Sequence, residues 1–148
     1  MIRKATLKDM EQVATLEDAI FTENWTKQSF QAALDMEETI FLVAAEGTTV
    51  VGYALLYAAA DEADITKVAV APMQRRKGYG ANLVMQLVVH GKQMGVNHYY
   101  LEVRESNEAA RAMYKRIGFE EVGNRKNYYD EPKEDAVIMK FEVGEKEC

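Results

Sequence analysis

The stretch that most restricts what this chain can fold into is Val68-Ala69-Val70-Ala71-Pro72-Met73-Gln74-Arg75-Arg76-Lys77-Gly78-Tyr79-Gly80-Ala81-Asn82-Leu83. An apolar run through Ala63, Ile65, Ala69 and Val70 stops at Pro72. From Gly80 onward Leu83, Val84, Leu87 and Val88 recur at the three- and four-residue spacing of one helix face. The order is therefore strand, basic turn, helix. Gly78 and Gly80 have no Cβ to block a ligand, so successive backbone N–H groups from about Arg76 to Ala81 can point at one anion, at the positive end of the new helix. That geometry is a pyrophosphate cradle. The dinucleotide fingerprint would need a third glycine where Leu83 stands, and the nucleoside-triphosphatase loop needs Gly-Lys-Ser/Thr, which is absent.

The rest of the chain frames this turn. Ile2 to Ala5 reads as a strand, and Thr6-Leu7-Lys8-Asp9 supplies a capping residue before the helical stripe Met10, Val13, Leu16 and Ile20. In Phe21-Thr22-Glu23-Asn24-Trp25-Thr26, Thr26 can cap a short helix from Lys27 to Leu34. Two roles are open to Trp25, a packing staple for that helix or a wall of a substrate groove. Thr39 to Ala45 and Val50 to Leu56 flank Glu46-Gly47-Thr48-Thr49 as an antiparallel hairpin. The helix after the cradle ends near Met94-Gly95, a strand runs from His98 to Val103, and a helix starts at Asn107 and stops at Gly118. A last pair of strands, Phe119 to Val122 and Ala136 to Val143, brackets the polar, aromatic segment Asn124 to Glu134. The expected architecture is α/β of the α+β type: a mixed, mostly antiparallel sheet of about six or seven strands flanked by about four helices, with one strand-helix-strand crossover carrying the cradle.

Length and charge narrow the function classes. A chain of 148 residues suits one domain over residues 1–148. Its single cysteine, Cys148, excludes an intramolecular disulfide, and the start Met1-Ile2-Arg3-Lys4-Ala5 lacks a signal-peptide apolar block, so a cytoplasmic location is expected. Net charge of −6 argues against direct nucleic-acid binding and suits a cationic substrate, or only keeps a domain in solution. No membrane span is expected, and neither His90 nor His98 has metal-ligand spacing.

The segment Arg75-Arg76-Lys77-Gly78-Tyr79-Gly80 resembles the acetyl-CoA signature of the GNAT superfamily of N-acetyltransferases, Gln/Arg-x-x-Gly-x-Gly/Ala. A second stretch, Leu101-Glu102-Val103-Arg104-Glu105-Ser106-Asn107-Glu108-Ala109-Ala110-Arg111-Ala112-Met113-Tyr114-Lys115-Arg116-Ile117-Gly118-Phe119, resembles the ribosomal-protein alanine N-acetyltransferase branch of that superfamily. Arg125-Lys126-Asn127-Tyr128-Tyr129, Glu131-Pro132-Lys133-Glu134-Asp135-Ala136 and Asn24-Trp25-Thr26 look like the same branch. Ala71 and Ala81 depart from it, standing where an acidic residue and an arginine are common, but neither removes a backbone donor.

The chemistry needs a neutral amine, for which an α-amine (pKa about 8) is better suited than a lysine (about 10.4), and a proton donor for the leaving thiolate. Glu102 sits on a strand opposite in direction to Leu101 and Val103 and can take the amine's proton; Tyr114, two turns into its helix, can present a hydroxyl to the sulfur. The resemblance implies Glu102 as general base and Tyr114 as general acid. It implies that the strand at Val68, Ala69 and Val70 holds the pantetheine arm and supplies an N–H to the thioester oxygen, with Asn107 on the far side. Arg75, Arg76, Lys77, Gly78, Tyr79, Gly80 and Ala81 would hold the phosphates, and Trp25, Tyr128 and Tyr129 the acceptor. Each also has a plain reading: Glu102 and the basic residues solvated, Tyr114 packing its ring, Asn107 a helix cap, Tyr128 and Tyr129 covering the core. The implied activity is acetyl transfer from acetyl-CoA, without metal, to the N-terminal alanine of a basic ribosomal protein, the eighteenth of the small subunit. Oligomeric state is not legible. A small amine or lysine acceptor, or a CoA-binding module without turnover, would share the cradle.

Overall fold

The computed structural model describes residues 1–22, 24–130 and 132–144; Glu23, Glu131 and Cys148, which entered the sequence reading, lie outside the described residues. The elements run β1 (Ile2–Lys4), α1 (Met10–Ile20), α2 (Lys27–Leu34), β2 (Thr39–Glu46), β3 (Thr49–Ala59), β4 (Glu62–Val70), α3 (Tyr79–Gln93), β5 (His98–Arg104), α4 (Glu108–Ile117), β6 (Glu120–Asp130) and β7 (Lys133–Glu142). All seven strands form one sheet in the order β1-β2-β3-β4-β5-β7-β6. Every neighbouring pair is antiparallel except β4–β5, which α3 crosses over to join in parallel. None of the described helices is long and apolar enough to cross a membrane.

Two apolar layers sit on the sheet. On one face α1 and α2 cover β2 to β4, burying Val13 and Phe30 against Phe41, Val43, Tyr53 and Leu55. On the other face Leu83, Val84 and Leu87 of α3 pack on Leu42, Ala54 and Leu56, and the layer continues through Tyr99, Leu101 and Val103 to Tyr114 and Phe119. Each fully buried Leu or Phe of this kind contributes roughly 1.5–3 kcal/mol. Alternation on β5 is strict: Tyr99, Leu101 and Val103 are buried, whereas Tyr100, Glu102 and Arg104 are half-exposed on the opposite face.

Local signals set the helix ends. Thr26 Oγ1 accepts from Ser29 N–H at 3.1 Å, and Trp25 packs its ring 5.1 Å from Phe30, the hydrophobic staple of a capped helix. Gly95 and Gly118 take φ of +89° and +129° where α3 and α4 stop. The N-cap of α1 is Asp9 of the expected capping stretch, and Thr6 caps a 3-10 turn at Leu7–Asp9 ahead of it.

The segment Asn124 to Glu134, expected as a polar connection, is mostly strand. It is the distal half of a long β6–β7 hairpin. Its residues are exposed almost throughout, because β6 is the sheet edge, and two register shifts, between Glu121 and Gly123 and between Arg125 and Tyr129, erase the period-two pattern.

At the sheet's other end Asp9 is nearly buried, and its carboxylate accepts two bonds from Arg3, at 2.8 and 2.9 Å, and one from Thr6 N–H at 2.8 Å. The Arg3 guanidinium is the main reason this carboxyl is held below its ordinary range. A lowered folded-state pKa stabilises the fold above the unfolded value, about 3.9, and that stability is lost as pH falls through the folded value. Asp9→Asn is expected to lose about 1–3 kcal/mol at neutral pH and to converge with the unaltered protein as denaturant midpoints are followed below pH about 4.

Candidate active site

The site begins with a failure of pairing. β4 and β5 are bonded only at Glu62↔His98, Ala63↔Tyr99 and Asp64↔Tyr100, although β4 runs on to Val70 and β5 to Arg104. The cause lies in β4's other neighbour. Leu55 pairs with Lys67 and Leu56 with Ile65, so Thr66 is the extra residue of a β-bulge, and its hydroxyl donates to Leu55 O at 3.2 Å. A bulge bends the strand that carries it. Beyond Asp64 the two parallel strands diverge and leave a gap in the sheet.

A cavity of about 830 Å³ occupies this gap, lined by Ile65 to Val70 on one side and Leu101 to Arg104 on the other. Because the sheet is open here, side chains from both of its faces reach one space. Glu102 enters from the face that α1 and α2 partly cover, and Tyr114 enters from the α3–α4 face. In an unbroken sheet the backbone would separate them.

The cradle closes the far end. Arg76 and Gly78 take φ of +70° and +83°, and Gly78 caps α3. The first N–H returned to the helix is that of Asn82, to Gly78 O at 3.0 Å, so the N–H groups before it are left for a ligand. A Cβ at Gly80 would lie 3.3 Å from Met113 Sδ and 3.7 Å from Val70 Cγ2, which shows how closely α3, α4 and β4 converge there. The three basic residues differ. Arg75 Nε donates to Val70 O at 3.1 Å, and Lys77 Nζ bonds Gln74 at 2.6 Å and lies 3.6 Å from Glu46. Arg76 faces the cavity. Tyr79 donates to Glu46 at 2.6 Å, a bond that holds the Glu46 carboxyl below its usual range.

Sequence reading selected about half of the lining: Val68, Ala69, Val70, Arg75, Arg76, Gly78, Tyr79, Gly80, Ala81, Glu102, Asn107, Tyr114 and Tyr129. Lys77, Trp25 and Tyr128 are not brought to the wall. Asn107 also caps α4, its Oδ1 accepting from Ala110 N–H at 3.2 Å. Tyr114 is 7% exposed and packs edge-on to Phe119; burial, then the neighbouring Tyr129, pushes its phenol well above the ordinary range, so it stays protonated at neutral pH. Glu102 lies 3.3 Å from Arg125 Nε.

The β6–β7 hairpin contributes Tyr129 to the cavity wall. The four-against-two register step from Arg125 to Tyr129 includes Asn127 at φ +53°, whose N–H is held by Asp135 at 2.8 Å. Tyr129 stacks on the Arg104 guanidinium at 4.2 Å, and burial pushes its phenol up to about 12. Glu134 accepts from Ser106 N–H at 2.6 Å and pairs with Arg104 at 3.2 Å, tying the hairpin to the loop before α4; the Ser106 bond lowers its carboxyl pKa.

Several lining residues were missed: Ile20, Phe21 and Thr22 after α1, Thr66 and Lys67 on β4, and Met113 and Arg116 on α4. Behind Lys67 lies Glu17, wholly buried, accepting from Tyr53, Lys67 and Trp25 N–H. The sequence carried one hint. Met10, Val13, Glu17 and Ile20 form a tighter stripe than one through Leu16, with a carboxylate in the buried row.

The gap between the parallel strands thus ends at a glycine-bracketed helix start whose first N–H groups suit an anion. The acetyltransferase (GNAT) family model matches residues 10–119. The chain belongs to this family. A Bacillus subtilis (strain 168) protein, named provisionally as a ribosomal protein bS18-alanine N-acetyltransferase, is 34% identical over 97% of this chain and 96% of its own length. The crystal structure of the Escherichia coli ribosomal-protein-S18-alanine N-acetyltransferase superposes with a TM-score of 0.89 at 28% identity, covering 98% of this chain and 94% of that one. A Thermoplasma acidophilum PaiA N-acetyltransferase solved with coenzyme A shares the fold, with a TM-score of 0.80, 18% identity and coverage of 97% and 98%. This GNAT protein is thus an acetyltransferase.

The crowding at Gly80 gives a direct check of the cradle. Gly80→Val would push a branched side chain against Met113 and Val70. Coenzyme A binding measured calorimetrically is expected to weaken by at least about tenfold, roughly 1.4 kcal/mol.

Proposed function

We propose that the protein transfers acetyl from acetyl-CoA to the N-terminal α-amine of a protein, an N-terminal alanine of the ribosomal protein named for its relatives, by direct attack in a ternary complex. The observation that carries this reading is the convergence of Glu102 and Tyr114 from opposite faces of the sheet on one cavity. Acetyl-CoA, when bound, supplies the thioester carbonyl and a thiolate leaving group. The unpaired edge of β4 and the free N–H groups of the α3 start suit its pantetheine arm and phosphates, with Asn107 across the gap.

By alternation the backbone groups of Val68 and Val70 face the gap, because Ala71 N–H already donates to Val51 O of β3 at 2.8 Å. An N–H there would meet the oxygen that becomes negative during attack. Glu102 takes the amine's proton, directly or through water. Tyr114, kept protonated by burial, gives its proton to sulfur. The acceptor enters on the Glu102 face, between the residues after α1 and the β6–β7 hairpin, where Tyr129 lines the path and Tyr128 packs edge-on to it at 5.0 Å.

Intact-mass measurement tests the reading with an Ala-initiated ribosomal peptide, the same peptide with its α-amine blocked, and a polyamine. One acetyl gained only by the free-terminus peptide is expected; acetylation of the polyamine or of the blocked peptide's lysines would transfer the function to a small-amine or lysine acceptor. In the same assay Tyr114→Phe is expected to lower turnover at saturating acetyl-CoA by about 10²-fold or more. Glu102→Gln should lose activity at neutral pH and recover part of it as pH rises and free amine accumulates; a profile parallel to that of the unaltered protein would remove Glu102 as the base.

A further inference from the structure

The acceptor side of the cavity contains a lysine that is not free to swing aside. Lys67 follows the Thr66 bulge, and its alternation with Ala69, which packs in the α1–α2 layer, places it on the face that Glu102 shares. Its Nζ donates to Glu17 Oε2 at 2.6 Å and lies 4.6 Å from the centre of the Phe21 ring and 5.3 Å from that of Trp25. Only 12% of the Lys67 side chain is exposed, and none of that of Glu17. Glu17 is itself fixed by Tyr53, at 2.5 Å, and by Trp25 N–H, at 2.9 Å.

A lysine stem ordinarily samples many rotamers and yields to a ligand. Here a buried carboxylate and two rings hold it in one, so the space beside it has a fixed volume. Ile20, Phe21 and Thr22 line the same end of the cavity. We infer that Lys67, pinned by Glu17, is the residue that limits the first side chain of the acceptor, admitting a small uncharged one and rejecting long or cationic ones. This rests on the N-terminal acceptor reading above. A long side chain meets a stem that does not retreat, and a cationic one meets a fixed ammonium, a like-charge contact that selects against the wrong partner.

Removing one member of the pair alone would strand the other's charge in the interior. The test therefore uses Lys67→Arg, which keeps the pair and adds bulk, and the double variant Glu17→Gln/Lys67→Ala, which removes both charges and opens space. Each is assayed by kcat/KM on peptides identical except for Gly, Ala, Leu or Lys in first place, with KM for acetyl-CoA measured alongside and folding checked by circular dichroism. Opposite shifts are expected. The double variant should raise the Leu-to-Ala and Lys-to-Ala ratios by at least about tenfold, the discrimination a pocket of fixed size provides, and Lys67→Arg should lower the Ala-to-Gly ratio, with KM for acetyl-CoA unmoved in both. If the double variant does not fold, the Lys67→Arg ratio decides alone. Equal losses on all peptides would make the pair a brace without a role in selection and overturn the inference. An unaltered protein that acetylates no free N-terminus overturns the acceptor reading and the inference with it; an active one whose variants keep its ratios overturns the inference alone.

Discussion

β4 cannot stay paired to β5 beyond Asp64↔Tyr100, because the bulged Thr66 bends it away, and the site depends on that divergence. Parallel strands that remained in register would satisfy each other's backbone groups and keep the two faces of the sheet apart. Once they part, an edge of β4 that no strand pairs faces a cavity from inside the sheet. The carboxylate of Glu102 and the phenol of Tyr114, built on opposite faces, then share it.

The surrounding structure holds the gap open and closes its ends. α3 crosses behind it, and its capping glycine turns the first helical N–H groups toward the cavity. α4 contributes Tyr114 from within the apolar layer, and the burial that positions the ring also raises the pKa of its hydroxyl. On one flank of the cavity the β6–β7 hairpin is tied to β5 and the loop before α4 through Arg104, Glu134 and Ser106. Across from it the loop after α1 is tied to β4 through Glu17 and Lys67. Both of these walls are thus fastened to the diverging strands by polar contacts, whereas the α3 end of the cavity rests on backbone geometry.

Glu17 shows the energetic logic of this division. A wholly buried carboxylate is tolerated only with its lone pairs occupied, and Tyr53, Trp25 N–H and Lys67 occupy them. It follows that α1, the turn before α2, β3 and β4 are tied to one another by a directional centre inside an apolar layer.

Much of the fold was legible from the chain alone, because it is written in short-range signals. Alternation on His98 to Val103, the helical stripes, Thr26 and Asn107 as caps and the glycines at 78, 80, 95 and 118 each act within a few residues, so the strand-turn-helix cradle and the opposed directions of Glu102 and its neighbours could be read from spacing. The sequence resemblance added the family. What the chain could not announce is decided between elements. The Thr66 bulge exists only against Leu55 and Leu56, and β6 has no period of its own and is a strand because β7 pairs with it. Glu17 and Lys67 are fifty positions apart, and although the α1 stripe hints that Glu17 is buried, nothing local names Lys67 as its partner. Tertiary structure alone opened the sheet, since a gap between two strands is a property of neither.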